Sequence, residues 1–220
     1  MDLFEHLTVA KAAMSKQTIR GSRFIACVFP ISQAEDADAR MIECRKAHVK
    51  ANHHCFAYTL GIRQHVQKAS DDGEPSGTAG APLLDLLKTY QICDTLLIVT
   101  RYFGGIKLGT GGLIRAYTHS GRAALLAAGI VARMPSFLWK VRVDYHMNGA
   151  LNHLLCESPC TIEDTAYADA VTYTLSLDQR DGAALEKAIR EQTNGQAYIS
   201  RLDTLYREQD VTGTVFASRD

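Results

Sequence analysis

The stretch Phe137-Leu138-Trp139-Lys140-Val141-Arg142-Val143-Asp144-Tyr145 places an aromatic or Val at every odd position and mostly polar residues between. That two-residue period belongs to a strand with one buried face. Downstream, Asn148 can cap a short helix that turns Leu151, Leu154 and Leu155 inward. Strands are predicted at residues 161–168 and 171–177. Asp181 can cap a second helix, with Leu185, Ala188 and Ile189 as its apolar stripe and Asn194-Gly195 as its stop. A last strand runs from residue 196 to about 206. The order β-α-β-β-α-β is the ferredoxin-like split motif, predicted for a C-terminal domain at residues 137–216.

Upstream, a short linker is predicted at residues 130–136, where Gly129 and Pro135 punctuate the chain. The charge changes sign there. Residues 1–130 hold 15 Lys and Arg against 11 Asp and Glu (+4), and residues 131–220 hold 9 against 13 (−4). The N-terminal domain, residues 1–130, is expected to open with a strand at 24–29. Ser32-Gln33-Ala34-Glu35 has the form of a capping box, starting a helix with Ala34, Ala37, Met41 and Cys44 on one stripe. Another strand is predicted at 53–60. Pro82 fits the first position of a Leu-rich helix reaching Tyr90. Residues 94–102 form a continuous apolar strand, expected at the centre of a sheet. The glycine-rich segment 104–112 feeds a helix at 113–128 that Gly129 stops. The fold class is α+β.

Composition narrows the function classes. With 46% hydrophobic and 22% charged residues in 220, the chain has enough apolar surface to offset the entropy of ordering. The 24 Lys and Arg balance the 24 Asp and Glu, so no bulk charge drives nucleic-acid binding, and DNA is not an expected partner. The longest run of small apolar residues, 123–132, has ten members, against about 20 for a membrane span. Asp2, Glu5, Lys11, Lys16 and Arg20 interrupt the N-terminal segment, which leaves no signal-peptide core. Six cysteines are too sparse for a disulfide scaffold. A reduced, cytoplasmic protein without membrane contact is expected.

Two loops concentrate the chemistry. Ser70-Asp71-Asp72-Gly73-Glu74-Pro75-Ser76-Gly77-Thr78 gathers three carboxylates beside two hydroxyls. It departs from the calcium-loop pattern; it suits either a solvated turn bonded to its own backbone or Mg²⁺ held through water. The second loop is Arg101-Tyr102-Phe103-Gly104-Gly105-Ile106-Lys107-Leu108-Gly109-Thr110-Gly111-Gly112. Thr110 stands where a Walker A loop needs Lys, and Ile114 where the dinucleotide fingerprint needs its third glycine. Two readings stand: a strand-to-helix crossover that uses glycine for positive φ, or backbone N–H groups turned to an anion or partner, with Arg101, Lys107 and Arg115 supplying charge. His53 and His54 are adjacent on a predicted strand and face opposite ways, so they cannot share a metal ion. Cys156 and Cys160 lack a second ligand pair at zinc spacing. No metal and no cofactor is expected. Either histidine fits a core or edge position, or a hydrogen-bonding group facing the loops.

His53-His54-Cys55-Phe56-Ala57-Tyr58, residues 70–84 and residues 100–117 resemble the signature segments of the Impact family, in its bacterial, YigZ-like, two-domain form. The motif resemblance spans roughly residues 20–125. It implies an N-terminal α/β domain similar to the second domain of a small-subunit ribosomal protein. It also implies a ferredoxin-like C-terminal domain similar to the last domain of elongation factor G. Eukaryotic members regulate translation initiation, interfering with activation of a kinase through an additional N-terminal domain. This chain begins almost at the shared domain, so that pathway is not expected to carry over. The expected function is regulation of translation by binding the ribosome, RNA or a translation factor. The alternative is a Mg-assisted hydrolase or phosphotransferase acting on a phosphorylated ligand at the glycine-rich loop. Under either, the candidate site is His53, His54, Asp71, Asp72, Glu74, Ser76, Thr78, Arg101, Tyr102, Gly104, Gly105, Lys107, Gly109, Thr110, Gly111, Gly112 and Arg115.

Overall fold

The computed structural model describes residues 5–217. They divide into two units, Glu5–Arg133 with residues 208–217, and Met134–Arg207. In chain order the N-terminal unit contains β1 (His6–Val9), β2 (Ala13–Ile19), β3 (Ser22–Pro30), α1 (Ala34–Ala47), β4 (His53–Leu60), β5 (Val66–Ser70), α2 (Gly80–Thr89), β6 (Thr95–Tyr102) and α3 (Thr110–Ala128). Its main sheet has the order β2-β3-β6-β4-β5, and every neighbouring pair is antiparallel. β6 is the middle strand, as its unbroken apolar run requires: a strand covered on both faces has no polar side to show.

α1 covers one face, packing Ala37, Met41 and Cys44 on Tyr58, Leu60, Leu96 and Ile98. α2 and α3 cover the other, where Leu83, Leu87, Tyr117 and Leu125 meet Ala57, Leu97 and Val99. Successive residues of a strand alternate faces. Cys55, Ala57, Leu97 and Val99 therefore point to α2 and α3, and Arg101 continues that row. Phe56, Tyr58, Leu96 and Ile98 point to α1, and Thr100 and Tyr102 continue theirs.

Several boundaries differ from the sequence reading. β1, β2 and β5 were not expected. β5 is exposed along nearly its whole length and β2 alternates half-buried with exposed residues. Both are edge strands held by ladder hydrogen bonds, which leave little hydrophobic pattern to read. α1 begins at Ala34, and Asp36, not Glu35, closes its start: Asp36 Oδ2 accepts from Ser32 N at 2.8 Å and Gln33 N at 3.2 Å. Pro82 is the third residue of α2 rather than the first, and α3 starts at Thr110, three residues before Leu113.

The predicted linker at 130–136 is a strand, β7 (Ile130–Val143). Its first four residues pair with β1. Beyond it lie α4 (Tyr145–Glu157), β8 (Cys160–Tyr167), β9 (Val171–Asp178), α5 (Gly182–Gln192), β10 (Tyr198–Asp210) and α6 (Thr212–Ala217). β9 lies between β7 and β8, antiparallel to each, and β10 pairs with β7. That strand order is the split arrangement the β-α-β-β-α-β pattern implies. Trp139, Val141, Val143, Leu151, Leu155, Tyr173, Leu175, Leu185 and Ile189 form its core. α4 starts after Asp144, not at Asn148; Asn148 Oδ1 instead accepts from the buried Tyr173 hydroxyl at 2.6 Å. The chain end rejoins the N-terminal unit: Val211 N donates to Ile130 O at 2.9 Å, and Phe216 stacks edge-on against Tyr90. A single cut near residue 130 therefore does not separate the two units. Among the described residues no helix is long and apolar enough to cross a membrane.

Candidate functional site

Glu74 organises the face that Arg101 shares with α2 and α3. Its side chain is 3% exposed and Arg101's is 6%. Glu74 Oε1 accepts from Arg101 Nη1 at 2.7 Å and from the Tyr117 hydroxyl at 2.8 Å. Arg101 Nη2 and Gly104 N each donate to Ser22 Oγ at 3.2 Å. Burial of a charge requires such partners, because the desolvation cost is otherwise several kcal/mol. The same environment disfavours ionisation of the neighbours. Burial, then its contact with the Cys55 sulfur and the Glu74 carboxylate, holds the Tyr117 phenol far above its usual range. Burial pushes the Cys55 thiol up to about 12, against the pull of its bond to Tyr117. Cys55 is thus a protonated thiol at neutral pH, 3.0 Å from the Asp71 carbonyl and 3.3 Å from the Tyr117 hydroxyl. It has no thiolate character for nucleophilic chemistry.

The acidic loop is built from its own carboxylates. Asp71 accepts from Gly77 N at 2.9 Å, Ala79 N at 3.0 Å and Gly80 N at 2.8 Å, closing the start of α2. Burial would raise its pKa, but these three N–H bonds outweigh that and hold it below the usual carboxylate range. Asp72 faces α1: Oδ1 accepts from Arg45 at 2.7 Å and Oδ2 from His54 N at 2.6 Å. Thr78 is fully buried and donates to Pro75 O at 2.6 Å. The three carboxylates point to three different partners. This departs from the reading in which they hold Mg²⁺ together. Among the described residues, the one trio of ligand atoms within 4.8 Å of one another is His6, Cys93 and Asp94, outside both loops.

The two histidines separate as strand geometry demands. His53 Nδ1 donates to Asp72 O at 2.9 Å, and its Nε2 lies 3.9 Å from Glu74 Oε1. His54 points to the α1 side, with Nδ1 3.2 Å from Thr100 Oγ1. Burial, then the Arg45 charge, lowers its pKa. Tyr102 is also on that side, its hydroxyl 2.9 Å from His48 Nδ1 and its ring under Arg23.

The glycine-rich segment divides by role. Gly104 is a close-approach position: a Cβ there would lie 2.0 Å from the Gly21 carbonyl. Gly109, at φ +72°, is the N-cap of α3, a conformation that costs a residue with a Cβ. A cavity of about 370 Å³ joins the loops, lined by Glu74, Pro75, Arg101, Phe103, Lys107, Leu108, Gly109, Thr110 and Leu113. It therefore brings together Glu74, Arg101, Lys107, Gly109 and Thr110 of the predicted set. Gly112 and Arg115 line a neighbouring groove. Ser76, Gly105 and Gly111 are exposed outside both. Sequence reasoning missed Ser22, Cys55, Phe103 and Tyr117. Of these only Phe103 carried a signal, an aromatic residue in a polar glycine loop.

The Impact N-terminal domain model matches residues 20–125, the span that holds both loops. A second model, described as Domain of unknown function (DUF1949), matches residues 141–196. The protein is 38% identical to "IMPACT family member YvyE" of Bacillus subtilis, over 95% of this chain and 96% of that one. This chain belongs to the IMPACT family. It is a two-domain bacterial-type IMPACT member, also 30% identical to "IMPACT family member YigZ" of Escherichia coli over 85% of this chain. "Protein IMPACT" of Rattus norvegicus is 33% identical over 42% of this chain and 30% of its own length. A crystal structure described as that of a hypothetical protein covers 91% of this IMPACT member at TM-score 0.58 and 29% identity.

Proposed function

We propose that this IMPACT-family protein regulates translation by binding the ribosome, RNA or a translation factor through the glycine-rich face of its N-terminal unit. One observation carries the reading. Lys107 and Arg115 are exposed and make no ion pair among the described residues, and Phe103 and Ile106 beside them are 47% and 55% exposed. Cations without carboxylate partners attract phosphates, and exposed aromatic faces accept bases. The first turn of α3 adds N–H groups that no earlier carbonyl of the helix can satisfy. The likeness to a ribosomal-protein domain and to the last domain of elongation factor G, which the family resemblance implies, would point the same way as fold-level analogy.

The alternative, a Mg-assisted hydrolase or phosphotransferase, needs a carboxylate free to hold the ion or take a proton. Asp71, Asp72 and Glu74 are each committed to other partners, which favours binding over catalysis. Sedimentation of the protein with ribosomes, subunits and factors at low and high salt tests the proposal. Co-sedimentation that weakens with salt is expected; its absence from every fraction overturns the reading.

A further inference from the structure

We propose that His6, Cys93 and Asp94 form a binding site for one divalent cation, Zn²⁺ by the chemistry of its donors. The site lies outside both loops and does not depend on the translation reading. A ring nitrogen of His6, the Cys93 sulfur and a carboxylate oxygen of Asp94 all lie within 4.8 Å of one another. Cys93 is fully buried, His6 is buried and Asp94 is half-buried. The donors therefore sit at the edge of the core, where an ion can enter and keep a water as its fourth ligand, as three-ligand zinc sites do.

Three features identify the cation. First, the spacing fits. Tetrahedral zinc takes sulfur at about 2.3 Å and oxygen at about 2.0 Å, which puts those two ligands about 3.5 Å apart. Cys93 Sγ and Asp94 Oδ2 are 3.9 Å apart, so a small side-chain rotation reaches that distance. Neighbouring residues of a strand face opposite ways, as His53 and His54 do. Cys93 and Asp94 escape this because both precede β6 and Asp94 stands at φ +51°. Second, the donors are held by bonds that leave ligating atoms available. Asp94 Oδ1 accepts from Gly61 N at 2.7 Å, which leaves Oδ2 for the ion. Cys93 N donates to Leu7 O at 2.9 Å, next to the parallel bridge between Leu7 and Ile92, and so fixes β1 against the turn that carries Cys93. Supporting bonds of this kind set ligand orientation. Third, charge and softness match. Thiolate, imidazole and carboxylate together carry two negative charges, which Zn²⁺ cancels. Sulfur and nitrogen donors also favour Zn²⁺ over the oxygen-seeking Mg²⁺ and Ca²⁺. Arg133, opposite His6 in the ladder with β7, is matched by Glu208 at 2.8 Å. Coordination breaks the Cys93 S–H bond, which points to Leu7 O at 3.3 Å, forms the S–Zn bond and passes the proton to solvent.

The test is metal binding by the full chain, kept in a phosphine reductant. Zn²⁺ is measured by elemental analysis after dialysis, and Co²⁺ serves as a spectroscopic stand-in. The wild type should retain one Zn²⁺ per chain and melt at a higher temperature with it. With Co²⁺ it should show a thiolate-to-cobalt charge-transfer band and the intense visible bands of four-coordination. Cys93→Ser should abolish the charge-transfer band. Asp94→Asn and His6→Gln should each weaken Zn²⁺ binding more than about 100-fold, beyond the 10- to 100-fold that a lost supporting contact costs. Asn tolerates positive φ and keeps an oxygen for Gly61 N, so Asp94→Asn decides the matter even if Cys93→Ser, at a buried position, fails to fold. A wild type that retains no Zn²⁺ and shows no charge-transfer band overturns the proposal. So does equal Zn²⁺ affinity in the wild type, Asp94→Asn and His6→Gln. A band that survives Cys93→Ser but disappears in Cys156→Ser overturns it as well, because the metal would then belong to the exposed cysteine.

Discussion

Glu74→Ala isolates the interaction that joins the two loops. In the native protein its carboxylate is 3% exposed and bonds Arg101 at 2.7 Å. The substitution leaves the Arg101 guanidinium buried, with Ser22 Oγ at 3.2 Å and the rings of Phe24 and Phe103 as its remaining neighbours. Removing one partner of a buried pair costs about 3–5 kcal/mol. Coulomb's law gives a similar figure, about 4 kcal/mol for unit charges about 4 Å apart at an effective dielectric near 20. The Tyr117 hydroxyl also loses its acceptor, worth about 1 kcal/mol more. The assay is urea unfolding of the full chain, following the transition of the N-terminal unit. The double replacement Glu74→Leu with Arg101→Met completes a cycle. An apolar pair of similar volume leaves no orphaned charge, so most of the loss should return. A Glu74→Ala loss under about 1 kcal/mol, the worth of an exposed ion pair, would refute the claim that this pair is desolvated and holds the loops. No recovery in the double variant would assign the loss to packing rather than charge.

Three further outcomes follow from the same geometry. Asp71→Asn should destabilise by about 1–2 kcal/mol, as loss of a helix cap does. Because the folded-state pKa of Asp71 is depressed, the wild type has this stability above about pH 4, the unfolded-state value, and loses it as pH falls through the lower folded-state value. The difference between wild type and Asp71→Asn in urea melts should shrink below about pH 4; a gap that persists unchanged at pH 2, about the low end of such melts, would contradict this. Gly104→Ala puts a methyl group 2.0 Å from the Gly21 carbonyl, so the two backbones must part. A cost of about 1–3 kcal/mol is expected, together with faster amide exchange at Gly104, whose N–H bonds Ser22; a thermal midpoint equal to wild type would show the contact is not needed. Tyr117→Phe removes one donor from Glu74 but leaves Arg101 in place, so it should cost about 1–2 kcal/mol, clearly less than Glu74→Ala in the same melts.

The parts of the fold that local periodicity encodes were legible. Buried strands β4 and β6, the helix that Gly129 stops, and the order of elements from residue 137 to the last strand follow from spacing alone, whereas α6 was not expected. A side chain's face is set by its parity in a strand, which is also why His53 and His54 separate. Edge strands β2 and β5 escaped because exposed residues have no pattern to keep. Residues 130–136 were misread because Gly129 and Pro135 mark turns in most settings, whereas here β7 runs through Pro135 without a break.

Sequence by itself singled out two loops dense in carboxylates and glycines, showed that the charge divides +4 and −4 about residue 130, and carried the family resemblance of the motifs. It could not assign the carboxylates. Asp71, Asp72 and Glu74 lie within four residues, yet one caps α2, one meets Arg45 across 27 positions and one meets Arg101 across another 27. Those partners are selected by the turn through Asp72 and Gly73, both at positive φ, and by how α2 and α3 pack on the sheet. Tertiary structure alone decided that the acidic and glycine-rich loops share one cavity, that its one buried acid is already neutralised, and that Arg115 of α3 is exposed without an ion pair among the described residues. Charge is a property of composition, but whether a charge is spent or available depends on contacts that no local pattern specifies.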